Sequence, residues 1–554
     1  MQKPLVFPKL CGADIEVANF IAGTNSPGGT GREASRALLH EIRGIPSLNE
    51  RWTKGGGGDC SATGGGSGWG CEPTAAVVDG AVWSTAGSSF QTVAVAQTTD
   101  PQDVGRKFLA SNGGCVYIDL NHLELCLPEV LGAREHVAAW HAMLRIARSA
   151  LRRANRNLPP DWRIRILVNS SDGQDHSYGA HLDFLVSRPA YDEIFNRRMQ
   201  YLLWLASYMV SSIVFTGQGK VGSENGTPAA DFQISQRADF FECLVGPQTT
   251  YHRPIVNSRD EALVGGWSGG GARSLRDLMA RMHVIFYDST LAEVGSLLKV
   301  GVYQIILAMI EAGCAPGTDL ILEDPLEALG VWSRDLTLRK PARLLSGRKL
   351  GAVELQLRFH EAASRFAERG GCDGVVPGAR EILDLWGSTL EMLARRDLAA
   401  LAARVDWALK LSILRQAIDS HPDLGWGSAK AKLLDHLYSS LDPEEGLFWA
   451  YKRAGLLERT VSEPEIEKLT HEPPGGTRAY ARAMLLRRAD PEIVEAVDWD
   501  SIHFRMPDGP GRAVLKTVRL WNPFGFTRPA TEALFRRTSS IEEVVRELGG
   551  DRTH

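Results

Sequence analysis

The segment with the most reactive side chains spans residues 116–129 and reads VYIDLNHLELCLPE. Its apolar, β-prone beginning predicts a buried strand that ends at Asp119. In such a strand Tyr117 and Asp119 share one face, and a bend after Asp119 would bring Glu124 to that side. Carboxylates at the end of an apolar strand are costly to bury unless a metal ion or a basic partner neutralises them. The alternative is a strand whose acids simply face water.

A second pair of acids lies near the start of the chain, in the predicted strand Leu10–Phe20. Asp14 and Glu16 share one face of that strand and repel each other unless a cation lies between them. Mg²⁺ is the natural candidate because it prefers hard oxygen ligands. An edge strand with a solvated face is the alternative.

Histidines and arginines supply the opposite charge. His181 and Asp183 share one face of the predicted strand His181–Val186, and the alternatives for His181 are a ligand role or a satisfied core position. Arg237 lies within the strand-like segment Phe232–Val245, and further arginines follow. Clustered guanidinium groups bind triphosphate oxygens bidentately, whereas solvated surface charge is the simpler explanation.

The elements that must position these residues follow from the apolar periodicity. A strand is predicted over Ile164–Asn169 and another over His283–Asp288. Residues 350–469 read as mostly helical. Further helices are predicted over Arg134–Asn157, Arg198–Phe215 and Thr290–Ala312, with the helical part containing Glu354–Arg369 and Ala379–Ser420.

A long glycine-rich insertion over residues 23–103 interrupts this pattern. A loop of this length is typical of a lid, a binding loop or a disordered segment. Its glycine run lacks the G-x-x-x-x-G-K-[ST] spacing of a phosphate-binding loop. A Pro-Pro-Gly-Gly breaker at 473–476 predicts a large catalytic domain over 1–472 and a small C-terminal domain over 473–554.

Composition restricts the class of protein. The 554 residues are 44% apolar and 23% charged with a formal net charge of -4, which argues against a nucleic-acid-binding or membrane-surface protein. No apolar run long enough to span a membrane and no leader pattern is evident, so a cytoplasmic protein is expected. The eight cysteines form no C-x-x-C pair, which argues against zinc. Cys115, Cys126 and Cys243 read as small buried hydrophobes, and a Cys60–Cys71 bridge is a minority alternative.

In their order and amino-acid sequence, these polar segments resemble the Pup ligase/depupylase family, whose fold is related to that of glutamine synthetase. The resemblance implies an α/β fold with a curved, mostly antiparallel sheet that cradles the active site, helices packed outside and a small C-terminal domain. It rests on GADIE, VYIDLNHLELCLPE, DHSYGAHLDFLV, FQISQRADFFE, TTYHRPIVNSRDE, RMHVIFYDSTLAEVGSLLKVG, TRAYARAMLLRR and VDWDSIHF.

The family contains two activities. The ligase joins the C-terminal glutamate of the disordered protein tag Pup to substrate lysines and consumes ATP. The depupylase deamidates the C-terminal glutamine of Pup and cleaves the tag–lysine isopeptide bond, with retained nucleotide. The long insertion between Asp14 and Asp119 favours the depupylase. The implied cofactors are ATP (or ADP) and Mg²⁺, and the implied partners are a Pup-like tag, tagged proteins and a proteasome system.

The resemblance also assigns roles to individual residues. Asp119 is the catalytic base or nucleophile. The positions of the metal ligands are Asp14, Glu16, Tyr117 and Glu124. The positions near the nucleotide are Trp499, Arg237, His181 and His283, and Arg259 belongs to the arginine cluster described above.

The chain departs from the family pattern at several of these positions. Cys115 replaces an arginine that contacts the nucleotide, and Leu127 replaces a threonine contact. Asp14 replaces a longer glutamate. These changes indicate a divergent branch whose tag differs from standard Pup. The leading hypothesis is therefore an amidohydrolase acting on a Pup-like tag. The alternatives are a ligase and, because of Cys115, an inactive nucleotide-binding regulator.

Overall fold

A computed structural model describes residues 6–46, 106–261, 264, 274–315, 317–421 and 424–549, together with the backbone of three short strands between 75 and 94. The strands are β1 Cys11–Ala22, β2 Ile45–Pro46, β3 Ala75–Val78, β4 Ala81–Ser84, β5 Thr92–Ala94, β6 Lys107–Phe108, β7 Cys115–Asp119, β8 His122–Cys126, β9 Arg163–Leu167, β10 Ala180–Ser187, β11 Lys220–Val221, β12 Phe232–Gln233, β13 Phe241–Gly246, β14 Arg253–Asn257, β15 Met279–Val284, β16 Ala342–Arg343, β17 Lys349–Leu350, β18 Val494–Val497, β19 Ser501–Pro507 and β20 Ala513–Arg519.

The helices follow the apolar periodicity closely at most positions. They are α1 Gly31–His40, α2 Ala133–Arg156, α3 Arg188–Asp192, α4 Met199–Thr216, α5 Glu293–Glu311, α6 Pro325–Ser333, α7 Ala352–Glu368, α8 Ala379–Arg395, α9 Leu398–Ala402, α10 Asp406–Ser420, α11 Ala429–Tyr438, α12 Leu447–Arg453, α13 Glu463–His471, α14 Ala479–Arg488, α15 Arg528–Arg537 and α16 Ile541–Leu548.

An antiparallel sheet forms the centre of the fold, with strand order β15-β10-β1-β8-β7-β6-β2. β9 pairs with the C-terminal half of β1, beside the part that pairs with β8 and β10. All of these pairs are antiparallel, so the mixed α/β class with an antiparallel sheet is confirmed.

The sheet has one apolar face and one polar face because its strands alternate in residue type. Ala13, Ile15 and Val17 of β1 are buried in the main hydrophobic core. On this side α2 contacts β1, β8 and β9, and α5 contacts β10. The alternate residues of the same strands, among them Asp14 and Glu16, point to the other face. The helical layer therefore fixes the strands whose polar side chains form the site.

Two strand predictions are wrong in their bounds. The segment Phe232–Val245 is broken into β12, a 3₁₀ turn and β13, and the strand predicted from His283 starts earlier, at Met279. Asp288 explains the break in the first segment. Its carboxylate accepts the backbone N–H groups of Gln218, Gln236 and Arg237, which satisfies an irregular buried backbone in place of a strand ladder.

The segment Ala379–Ser420 is helical, as predicted, and the structure divides it into α8, α9 and α10. Arg396 adopts a left-handed conformation (φ 56°) at the end of α8. Asp397 then caps α9 by accepting the backbone N–H of Ala400.

Part of the insertion lies within the described residues. Residues 31–40 form α1, whose Leu38 and Leu39 are buried against the main core, so the prediction of a loop is wrong for this part. The glycine run at 55–58 and 64–66 and the cysteines Cys60 and Cys71 lie outside the described residues.

Two helices, α4 and α5, are long and apolar enough to cross a membrane by length and composition alone. This corrects the expectation that the chain has no apolar run long enough for a span. Of their most apolar windows, 83% and 100% of the residues are buried inside the fold. Their apolar character is explained by their place between the sheet and the outer helices.

The C-terminal elements pack on the end of the sheet through a second hydrophobic cluster. It combines Tyr117 and Cys126 with Trp499 and the buried side chains of β18–β20 and α14–α16. Glu129, just after β8, accepts hydrogen bonds from Arg478 (Nε–Oε1 2.8 Å) and Arg482 (Nη1–Oε1 3.1 Å). Burial raises the pKa of Glu129, but the two guanidinium groups outweigh it and lower the pKa to about 2. The domain boundary at 472/473 stays a prediction.

We predict that Glu129→Gln lowers the free energy of unfolding by about 3 to 5 kcal/mol, because it leaves two buried guanidinium groups without their carboxylate. The control Glu361→Gln, which removes an exposed carboxylate on α7, leaves the free energy of unfolding nearly unchanged. Because the folded pKa of Glu129 lies below its unfolded value, its contribution is complete above pH 4.5 and declines as the pH falls toward 2. Urea unfolding of both variants between pH 3 and 7 checks this; equal losses would contradict it.

Candidate active site

Strand register brings the predicted acids together on the polar face of the sheet. Glu16 of β1 lies opposite Glu124 of β8, and Asp14 lies opposite Cys126. Tyr117 of β7 lies opposite Glu124 from the other side. Directly opposed residues of antiparallel strands place their side chains on the same face, about 5 Å apart. Three strands, β1, β7 and β8, thus direct polar groups to one place.

The β7–β8 connection determines this arrangement. Leu120 and Asn121 form a two-residue turn, with Leu120 in a left-handed conformation (φ 52°), and Asp119 pairs with His122. A turn with an even number of residues leaves Asp119 and Glu124 on one face of the sheet. This agrees with the bend after Asp119 that the sequence predicts.

Two groups of side chains are close enough to hold a metal ion. Ligand atoms of Glu16, Asp119 and Glu124 lie within 4.8 Å of one another, and so do those of Asp14, Glu124 and Cys126. Glu124 belongs to both groups and is fully buried.

The electrostatics of the group show that the nearby arginines do not offset the effects of burial and mutual repulsion. Burial raises the pKa of Glu124 well above its usual value, and Asp14, Asp119 and Glu16 raise it further. Burial raises the pKa of Asp14 to about 7, with Asp183 adding to the effect. The pKa of Asp119 rises to about 6, first through burial and then through Glu16.

These carboxylates fit a hard divalent cation. Glu16, Asp119 and Glu124 converge at ligand distance, and a bound cation would neutralise the charge that burial penalises. Tyr117 lines the same space, but burial raises its pKa well above the usual value, so the phenol is neutral. Cys126 is a soft ligand whose pKa burial also raises, which makes Mg²⁺ a better match to the oxygen set.

A cavity of about 140 Å³ opens beside the acids, between the sheet and the C-terminal elements. Leu127 is on its wall. The predicted site residues that line it are Asp14, Tyr117, Asp119, Glu124, His181, His283, Arg259 and Trp499.

One side of this cavity is a chain of paired charges across β10 and β15. His283 Nδ1 lies 2.8 Å from Asp183 Oδ1, and Arg281 Nε lies 3.6 Å from the same oxygen. Burial raises the pKa of Asp183, but Arg281 and His283 outweigh it and lower the pKa to about 2. His181 packs edge-on against His283, and burial lowers its pKa well below the usual value. His181 is therefore neutral and available as an acceptor or ligand.

The opposite side is aromatic. Trp499 is supported by the edge of Phe108, with ring centroids 5.3 Å apart. The buried guanidinium of Arg482 lies 4.8 Å from the Trp499 ring centroid and donates to the Trp499 carbonyl. The C-terminal elements thus present a fixed aromatic wall to the cavity.

Comparison with known proteins identifies the family. The model of the family described as "Pup-ligase protein" matches residues 79–503. A depupylase from Acidothermus cellulolyticus is 37% identical over 458 residues, 82% of this chain and 86% of the relative. A Pup deamidase/depupylase from Mycolicibacterium smegmatis is 31% identical over 81% of this chain and 85% of the relative. The chain belongs to the Pup-ligase protein family.

One further relative and two solved structures are also similar to this chain. A Pup–protein ligase from Geodermatophilus obscurus is 32% identical over 73% of this chain and 85% of the relative. The complex of the prokaryotic ubiquitin-like protein Pup with its ligase PafA has a TM-score of 0.73 at 22% identity and covers 99% of this chain and 93% of that chain. PafA in complex with ADP has a TM-score of 0.66 at 25% identity, over 78% of this chain and 90% of that chain.

Two of the predicted site residues, Arg237 and Glu16, do not line the cavity. Arg237 is fully buried and donates to the Ile285 carbonyl and to Ser177. Burial and Arg253 lower its pKa to about 10. Its guanidinium packs against Gly179, where a Cβ would lie 2.7 Å from Nη1. Gly179 in turn donates its backbone N–H to Glu16 (2.8 Å). Arg237 therefore supports the position of Glu16 from behind.

Sequence reasoning missed several residues of the site. Arg106, Glu261 and Arg281 line the cavity, and Arg106 lies over the Tyr117 ring, 5.2 Å from its centroid. Arg281 is two residues before His283 in β15, so the period-2 pattern could have identified it. Arg106 follows directly after the insertion, so no alternating strand pattern in the sequence identified it.

The cysteine predictions have a mixed outcome. Cys115 and Cys126 are buried, as expected, and they lie opposite each other in β7 and β8. Cys126 also lines the cavity beside Asp14, a role that its apolar neighbours in sequence concealed. The prediction for Cys243 is wrong: its thiol is partly exposed and donates to the His252 carbonyl (3.1 Å).

We predict that Glu124→Gln, in the absence of divalent cations, raises the free energy of unfolding at pH 7 by about 1 to 3 kcal/mol, because it removes the cost of burying a carboxyl group whose ionisation burial and three neighbouring carboxylates oppose. Mg²⁺ should raise the melting temperature of the wild type and leave that of the variant nearly unchanged. The control Glu135→Gln, a partly buried acid on α2, should keep the response to Mg²⁺. Thermal unfolding with EDTA and with Mg²⁺ measures both effects. A variant that is less stable without metal would contradict the account.

Proposed function

We propose that this chain is a nucleotide- and Mg²⁺-dependent amidohydrolase that acts on a Pup-like protein tag in the cytoplasm. It deamidates the C-terminal glutamine of the tag, or cleaves the isopeptide bond between tag and lysine, or both. The observation that carries the proposal is Asp119. Its carboxylate lies within 4.8 Å of Glu16 and Glu124, at the edge of the cavity, with a pKa near 6.

The position of Asp119 suits either of two first steps. As a base, its carboxylate takes a proton from a water molecule whose oxygen attacks the amide carbon. As a nucleophile, it attacks that carbon itself and water later hydrolyses the anhydride. In both cases the C–N bond breaks and the nitrogen leaves with a proton, as ammonia or as the lysine amine. Mg²⁺, when bound, would supply positive charge that keeps Asp119 ionised and stabilises negative charge on the substrate.

The remaining residues hold the cofactor and the tag. Trp499 offers an aromatic wall for the base of a nucleotide, and Arg259 and Arg281 offer guanidinium groups for its phosphates. PafA in complex with ADP shares this fold. We propose ATP or ADP as the bound nucleotide, Pup-conjugated proteins as substrates and a proteasome system as the pathway that they serve.

A ligase is the second candidate function. The match to a Pup–protein ligase favours it, since both activities need the same carboxylates and nucleotide. Two observations support hydrolysis: the matches to relatives named depupylase and Pup deamidase/depupylase, and the long insertion before β7.

We predict that Asp119→Asn lowers deamidation of a Pup peptide ending in glutamine by at least about 100-fold, because it removes the general base or nucleophile. Mass spectrometry of the peptide, incubated with protein, Mg²⁺ and ATP, measures the amide-to-acid conversion. The control Asp161→Asn, on an exposed loop, should keep full activity. Conjugation of a Pup peptide ending in glutamate to lysine, without deamidation, would show that the ligase alternative is correct.

The pH dependence provides a separate prediction. Because the reactive form of Asp119 is the carboxylate, kcat should rise with pH through the pKa near 6 and reach a plateau above it. Bound Mg²⁺ should move this transition to lower pH, since a cation favours the ionised form. A rate that does not depend on pH between 5 and 8 at subsaturating Mg²⁺ would contradict the role of Asp119.

We also predict that Trp499→Ala weakens nucleotide binding about tenfold, because the ring loses its stacking contact. Isothermal titration with ADP and Mg²⁺ measures the change. Trp162→Ala, which removes an exposed ring remote from the cavity, is the matched control. Equal affinity in both variants would place the nucleotide elsewhere.

A further inference from the structure

A second pocket, of about 390 Å³, lies between α2 and the helices α12 and α13. It shares no lining residue with the catalytic cavity. One carboxylate, Glu463, lines it. The cationic side chains that line it are Arg145, Arg148, Arg152, Lys452, Arg453 and Arg459. We call this the basic pocket.

Three of these cations repel one another on a single face of α2. Arg145, Arg148 and Arg152 are spaced three and four residues apart, and like charges at that spacing destabilise a helix. Arg145 is neutralised by ion pairs with Glu463 and Glu467. Within the described part of the chain, no carboxylate forms an ion pair with Arg148 or Arg152.

Arg148 is held in place without an ion pair to a described carboxylate, although Glu463 and Asp442 lie near enough to raise its pKa. Its guanidinium lies 5.3 Å from the ring centroid of Trp449, a buried side chain. Burial lowers the pKa of Arg148, and Arg152 and Arg145 lower it further. An anion bound in the pocket would offset the repulsion that Arg152 and Arg145 exert on Arg148, and would so raise the pKa of Arg148 again.

His141 supplies an independent observation. It is 4% exposed and lines the pocket, and its Nε2 atom is buried without a hydrogen-bond partner among the described residues. A buried polar atom without a partner is costly, and a ligand acceptor at that position would satisfy it. Burial, Lys452 and Arg459 lower the pKa of His141 well below its usual value, so its ring is neutral and donates one N–H.

We propose that the basic pocket binds a compact phosphate-bearing anion. The fork of a guanidinium group matches phosphate oxygens bidentately, and a phosphate places more than one negative charge at one point. The uncompensated cations converge on one pocket, which suits such a ligand better than an acidic peptide, whose single charges are spread along an extended backbone.

The other wall of the pocket is already fixed. Lys452 and Arg459 pair with the buried Glu293 of α5 (3.1 and 3.2 Å). A phosphate that bridges Arg148 and Arg152 to this wall would tie α2 to the helices behind it. Because α2 packs on the apolar face of the catalytic sheet, binding would stabilise the layer that supports the site.

The test is calorimetric titration of the full chain with inorganic pyrophosphate, with the catalytic cavity saturated with ADP. The pocket variant is Arg148→Gln/Arg152→Gln, which removes mutual repulsion and should fold. The matched control is Arg153→Gln/Arg156→Gln, on the same helix but outside the pocket. We expect pyrophosphate to bind the wild type and the control equally and the pocket variant at least about tenfold more weakly.

Three outcomes would overturn the proposal. The first is no binding of pyrophosphate to the wild type, and the second is equal binding to both double variants. The third is binding of a short polyglutamate peptide, lost in the pocket variant, where pyrophosphate does not bind; that would assign the pocket to an acidic protein segment. None of these outcomes depends on amidohydrolase activity, so the proposed function is tested separately.

Discussion

The repulsion among buried carboxylates on β1, β7 and β8 is the constraint on which the site depends. Antiparallel register fixes Glu16 opposite Glu124, and the two-residue turn after Asp119 adds a third carboxylate. Such a group is unfavourable without a cation, because burial and mutual repulsion both penalise ionisation. The helices packed on the apolar face of the sheet hold the strands in register, and this packing offsets the unfavourable free energy of the buried carboxylates. The same cost makes this group of carboxylates a good match to a hard divalent cation, and it raises the pKa of Asp119 to about 6.

Much of the sheet could be predicted from the sequence because its strands alternate strictly. The acids of β1 and the His181–Asp183 pair of β10 share the predicted faces. Where the observed bounds of a strand or helix differ from the predicted ones, the cause is a local contact. Asp288 accepts three backbone N–H groups and so holds an irregular segment, and Asp397 starts a new helix where the apolar pattern continues. Alternation does not reveal such capping contacts, because they depend on the tertiary structure.

The site itself could be predicted only in part. The sequence indicates which side chains are polar, but strand order decides which of them meet. Arg237 shows the limit: its motif suggests a nucleotide ligand, whereas the structure places it behind Gly179, where it supports Glu16. Cys126 shows the converse, since its apolar neighbours conceal a position beside Asp14. The basic pocket was missed because its cations come from helices that are distant in sequence.

The most direct test of the central claim, that Asp119 activates hydrolysis at the carboxylate group, is a turnover experiment in oxygen-18 water. A Pup peptide ending in glutamine is incubated with protein, Mg²⁺ and nucleotide, and the label is located by mass spectrometry of peptide and protein. The account predicts one labelled oxygen in the new side-chain carboxyl group of the tag's C-terminal residue and none in the peptide incubated with the Asp119→Asn variant. Label incorporation that persists in this variant, or none with the wild type, would contradict it.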